Sequence, residues 1–155
     1  MKVDLYERIW IWLASFMILG FLGAIMVSAA NNAVHPPSHM EAIDPTLVAS
    51  DPDFSRPRVE IAPDGAVRVV GTTQMFAFNP NLIKVPAGKP VTFRLTSPDV
   101  IHGFQIVGTN ANAMVVPGYV TQLTTTFERK GEYLIVCNEY CGLSHHLMQA
   151  RMIVE

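Results

Sequence analysis

"CNEYCGLSHHLM", residues 137–148, holds both cysteines of the chain, two of its five histidines and one of its eight methionines. A structural disulfide, a redox dithiol and a metal site would each use some of these side chains, and only a metal site uses them all. The segment lies between two β-type runs, EYLIV and RMIV, so it is a loop held at both ends. Within it the donors follow in the order Cys137, Cys141, His145 and Met148, at offsets of four, four and three. A second loop, SPDVIHGF, carries His102 between two other strand-like runs. Thiolate and thioether are soft ligands that suit copper, while imidazole accepts copper or zinc.

Several assignments of these donors stay open on residue types alone. A disulfide between Cys137 and Cys141 would close a very small loop and restrain the unfolded chain little. A tetrahedral zinc site with two Cys and two His leaves Met148 idle. One blue-copper ion takes two His, one Cys and an axial Met, and leaves a cysteine spare. A pair of copper ions bridged by both thiolates uses every donor, with one histidine to each ion. Such a centre needs no open coordination position and suits electron relay. His146 beside His145 reads as a surface neighbour, and His35 and His39 read as solvent-exposed.

Outward from the loop, short β-branched and aromatic runs predict strands at 66–72, 82–85, 91–96, 103–107, 120–127, 132–136 and 151–154. Gly- and Pro-containing turn signals separate them, at Pro63-Asp64-Gly65, Pro86-Ala87-Gly88, Pro117-Gly118 and Lys130-Gly131. This is the pattern of a mainly β sandwich or barrel of one core. Residues 34–57, rich in Pro, Asp and Ser, read as a linker. The 155-residue chain is 50% hydrophobic, with a mean hydropathy of +0.27, and the excess lies at its start. IWIWLASFMILGFLGAIMVSAA, residues 9–30, has no formal charge and is long enough, at ~1.5 Å per residue, to cross a ~30 Å hydrocarbon core. A cleaved signal peptide would have a shorter apolar stretch.

The expected organisation is therefore an anchor at 1–33, the linker at 34–57 and an extramembrane domain at 58–155. Trp10 and Trp12 stand near one membrane face. Lys2 and Arg8 precede the span and the next Lys or Arg is Arg56, so the N-terminus is expected in the cytoplasm and the rest outside. A formal charge of −2 gives no basic footprint for nucleic acid.

These residues resemble cytochrome c oxidase subunit II. "CNEYCGLSHHLM" is similar to that family's C-x-E-x-C-G-x-x-H-x-x-M motif, and "SPDVIHGF" to the loop supplying its first histidine. The single expected helix, and "QMFAFNP" where commoner members carry a tryptophan-rich stretch, look like the ba3-type (B-family) oxidases. The resemblance implies one N-terminal transmembrane helix followed by a cupredoxin-like Greek-key β-barrel. It implies a binuclear CuA centre on His102, Cys137, the Glu139 carbonyl, Cys141, His145 and Met148. The Glu139 side chain would help hold Mg2+ at the boundary with the catalytic subunit.

The implied role is electron input in a bacterial or archaeal cell membrane. Electrons would come from a periplasmic cytochrome c or small copper protein and pass to haem in catalytic subunit I, where oxygen is reduced and protons are pumped. A CuA subunit of a nitric oxide reductase would present the same ligands, and a copper-delivery protein is a different class. With both tryptophans in the anchor, electron input is expected at Phe76 and Phe78, in the segment of the family's aromatic patch.

Overall fold

The computed structural model describes residues 4–31 and 41–155, in two compact units, Met1–His39 and Met40–Glu155. His35, His39 and the start of the expected linker lie outside the described residues. The first unit contains α1 (Leu5–Asn31), whose 27 residues extend about 40 Å at the standard rise. Its Leu5–Ala30 portion has a mean hydropathy of 2.2, and no part of its most apolar stretch is buried against protein. Apolar side chains stand on every side of it, including Trp10, Trp12, Phe16 and Phe21. A helix that is apolar all round needs a nonaqueous surrounding, and its length suits a bilayer.

In chain order the second unit contains β1 (Glu41–Ala42), β2 (Arg58–Ile61), β3 (Val67–Gln74), β4 (Ala77–Asn79), β5 (Leu82–Val85) and β6 (Pro90–Thr96). These are followed by β7 (His102–Ile106), β8 (Asn112–Val115), β9 (Tyr119–Thr126), β10 (Gly131–Val136) and β11 (Gln149–Val154). One sheet runs β1-β9-β6-β3-β2, with β4 added to β3, and the other runs β5-β11-β10-β7-β8. The pairs β3–β6 and β5–β11 are parallel. The cupredoxin-like barrel is thus a flattened one, a β-sandwich.

Every strand read from the sequence is present, with ends shifted by a residue or two. The strands not foreseen are β1, β2 and β8 at sheet edges and β4 beside β3. Edge strands bury little, so their apolar alternation is weak. Central strands alternate clearly: Val91, Phe93 and Leu95 of β6 point inward, as do Ala150, Met152 and Val154 of β11. Between the sheets, Phe104 packs against Phe93 at 5.1 Å and edge-on against Phe78 at 5.9 Å. Cys137, Cys141 and Met148 belong to the same apolar cluster. The soft donors are therefore one end of the core.

The segment 41–57 departs from the linker reading. β1 pairs with β9, and Asp44 caps a 3₁₀ helix at Pro45–Ser50 by accepting from Thr46 N at 2.9 Å. Val48 and Phe54 form a second small core with Val70 and Val120. The Asp53 carboxylate accepts from Arg58 at 3.1 Å, from Arg68 at 2.7 Å and from Arg94, which also holds Glu41. The segment's composition is that of a linker, yet two well-placed apolar side chains and one ion-pair network fasten it to the sheet as an arm.

Candidate metal centre

The cysteine loop is closed at its base. Val136 pairs with Gln149 at the end of the β10–β11 ladder, and Cys137 N–H donates to Met148 C=O at 3.2 Å. Inside the loop the chain turns through a 3₁₀ helix at His145–Leu147. Gly142, at φ +132°, adopts a conformation that strains any residue with a side chain, and a Cβ there would meet the Phe76 ring at 3.0 Å. The β3–β4 turn therefore sits directly on the loop.

The donors converge from two separate loops. Cys137 and Cys141 are unpaired thiols, 7% and 4% exposed, with their sulfurs 3.9 Å apart. That separation is far beyond a disulfide bond. His102 is fully buried and its Nδ1 lies 4.0 Å from Cys137 Sγ. His145, half-buried, places Nδ1 3.6 Å from Cys141 Sγ. Met148 Sδ lies 3.7 Å from Cys141 Sγ, and the Glu139 carbonyl oxygen lies 3.1 Å from Cys137 Sγ. Each sulfur thus has its own imidazole and its own third donor. The ligand atoms of His102, Cys137 and Cys141 lie within 4.8 Å of one another, a group to which His145 does not belong. A single tetrahedral ion would draw all four together. The arrangement fits a pair of soft metal ions sharing two sulfurs.

Asp99, not singled out in the sequence, governs one of these histidines. Its Oδ1 lies 2.9 Å from His102 Nε2, which assigns the ring proton to Nε2 and leaves the Nδ1 lone pair facing Cys137. Burial works to raise the Asp99 pKa, but hydrogen bonds from Met75 N–H, His102 and Val100 N–H outweigh it and hold the carboxyl below its ordinary value. The bond from Met75 N–H, at 2.7 Å, also ties the β3–β4 turn to the His102 loop. The available signal was an acid three residues before a candidate ligand histidine, visible only once His102 is taken as a ligand. Tyr140, also unforeseen, leans on the His145 ring at 5.8 Å and is 77% exposed. Burial and the neighbouring Cys137 push the Cys141 thiol up to about 11, so a bound metal must displace its proton.

A family model for "Cytochrome C oxidase subunit II, periplasmic domain" matches residues 61–155. A cytochrome c oxidase subunit 2 of Thermus thermophilus is 38% identical over 154 residues, covering 97% of this chain and 92% of that one. The chain belongs to the cytochrome c oxidase subunit II family. A second Thermus thermophilus cytochrome c oxidase subunit 2 is 42% identical over 124 residues, 79% of this chain and 92% of that one. Among solved structures, a chain of a haem-copper terminal oxidase dimer, determined by cryo-electron microscopy, matches with a TM-score of 0.71 at 31% identity. It covers 97% of this chain and 99% of that one. The periplasmic domain of cytochrome oxidase subunit II from Bradyrhizobium japonicum shares the fold, with a TM-score of 0.53 at 17% identity over 64% of this chain and 87% of that one.

One expected input residue is corrected in this subunit II chain. Phe78 is 3% exposed and packed edge-on against Phe104, so it is core and presents nothing to a partner. Phe76, at the turn rather than within β4, is half-buried against the loop, beside Met75 at 50% exposed. The two rings do not share a surface, because the chain is still turning at Phe76 and strand alternation does not apply there.

Proposed function

We propose that this chain is the electron-input subunit of a membrane-bound haem–copper oxidase, holding a binuclear CuA centre. His102, Cys137, the Glu139 carbonyl, Cys141, His145 and Met148 are the proposed ligands. The observation that carries the reading is the pairing of donors, one imidazole and one weaker donor at each of two sulfurs 3.9 Å apart. Copper bound there supplies a reversible one-electron redox site. The protein keeps the buried donors in a packed apolar cluster, which limits how far they shift between oxidation states. No substrate cavity or open coordination position is needed, so this subunit relays electrons, and oxygen reduction and proton pumping belong to the catalytic subunit.

Electrons are proposed to arrive from cytochrome c or a small copper protein at the apolar surface around the loop. Met75, Tyr140, Leu143 and Leu147 are exposed there, with Phe76 beneath. Docking on such a surface relies on apolar burial more than steering, so reduction by the donor should fall only modestly as salt rises. The α1 helix would cross the membrane once with its N-terminus cytoplasmic. The Glu139 carboxylate would give one hard oxygen to Mg2+ shared with the catalytic subunit, and Mn2+ binding by the assembled complex should weaken in Glu139→Gln.

The deciding experiment is copper loading of the detergent-purified full chain. The reading expects two coppers per chain, a purple oxidised form and an EPR signal from one electron shared by both ions. A four-line signal from one isolated copper would exclude the binuclear site.

A further inference from the structure

Where the β10–β7 ladder stops, a side chain continues its work. The register pairs Ile135 with Ile106 and Val136 with Gln105, and extending it by two sets Asn138 opposite Gly103. No backbone pair forms there. Instead the Asn138 side chain lies over Gly103, and its Nδ2 donates to Asn112 Oδ1 at 3.2 Å on the far side of β7, where β8 runs. A Cβ on Gly103 would fall 1.9 Å from Asn138 Oδ1, 2.9 Å from its Cγ and 2.7 Å from its backbone N. Gly103 is not at positive φ, so space, rather than backbone conformation, explains the glycine. It adjoins His102, and Asn138 adjoins Cys137.

We propose that Asn138 is a strap which crosses β7 over Gly103, fastens to Asn112, and sets how closely the cysteine loop approaches His102. Asn138, Asn112 and Gly103 are positioning residues, since none offers a donor to the metal. The strap holds the two ligand loops together at the mouth of the sandwich, where the backbone ladder no longer does. Its effect on copper rests on the binuclear reading, whereas its effect on the loop is readable without metal.

The test uses the full chain in detergent, in both states. In metal-free protein both thiols are buried, so their alkylation rate reports loop opening. Asn138→Ala and Asn112→Ala should each speed labelling about fivefold, the scale of one lost hydrogen bond. The double variant should be no faster than the quicker single, because the two side chains act as one unit. Gly103→Ala should speed labelling at least as much and should also shift the copper EPR hyperfine pattern and reduction potential. Gly108→Ala is the control: its φ of +79° makes it a strained site, but nothing lies within 4 Å of its Cβ. It should cost stability without changing the copper signature. Should Gly103→Ala fail to fold, the two asparagine variants carry the test. Parental labelling rates in both, or fully additive effects in the double variant, would overturn the strap. A parent chain without the shared-electron signal sinks the proposed function instead, while the labelling result still decides the strap.

Discussion

The cysteine loop and the 41–57 arm hold their places by opposite means. The loop sets its sulfur donors at the end of the main core, against His102 at the start of β7, with Cys137, Cys141, Met148 and His102 all less than a tenth exposed. The arm relies on two buried side chains, Val48 and Phe54, and on a carboxylate shared among three arginines at the surface. The loop's donors come mostly from one twelve-residue stretch, whereas Asp53 reaches partners at positions 58, 68 and 94. A function fixed by short spacing is exposed to single substitutions. An arm fastened by distributed contacts should loosen by degrees, without changing the chemistry of the loop.

The sharpest break of this contrast is at the sulfurs. On the proposed binuclear reading, Cys137→Ser or Cys141→Ser should abolish the shared-electron EPR signal, since each would remove one of the two shared sulfurs, while hydrogen exchange of residues 41–57 stays at the parental rate. At the other end, Phe54→Ala should cost about 3 kcal/mol locally, as a buried ring is deleted from a small core. Exchange within the arm should accelerate accordingly, with the visible spectrum of the copper-loaded chain unchanged. A changed spectrum would show that the two regions are coupled.

Asp99→Asn sharpens the comparison within the metal centre. It keeps the size of the side chain but weakens the hydrogen bond that orients His102, so copper affinity should fall roughly 10- to 100-fold. Competition against a calibrated chelator measures it. Met148→Leu should be milder, because a thioether, if it ligates weakly as proposed, would mainly tune the potential, and a redox titration would follow it.

The smallest expected effect is of acid on the arm. The hydrogen bond from Arg58, with Arg94 and Arg68 nearby, holds Asp53 below its ordinary 3.8 despite partial burial. A carboxyl depressed on folding contributes stability above its unfolded pKa and loses it as pH falls through the lower folded value. Arm protection should therefore be flat from neutral pH down to about 5 and decline only below about 4. Solvent screening keeps the size of this loss small. A decline already under way at pH 6 would point to some group other than Asp53.

The membrane-length helix, the central strands and the gathering of soft donors in one loop were legible because each is written at short range. An uncharged run, an alternation of two and a spacing of donors need no knowledge of distant residues. Family membership followed from the same two ligand loops. What only the tertiary structure decided was which side chains meet across the chain. It turned 41–57 from linker into arm and placed Phe78 in the core while Phe76 stayed at the turn. It tied the β3–β4 turn to Asp99 through Met75 N–H and laid Asn138 across Gly103. Each of these depends on contacts between strands far apart in sequence, and no local pattern records which distant partner a buried ring, a carboxylate or an amide will find.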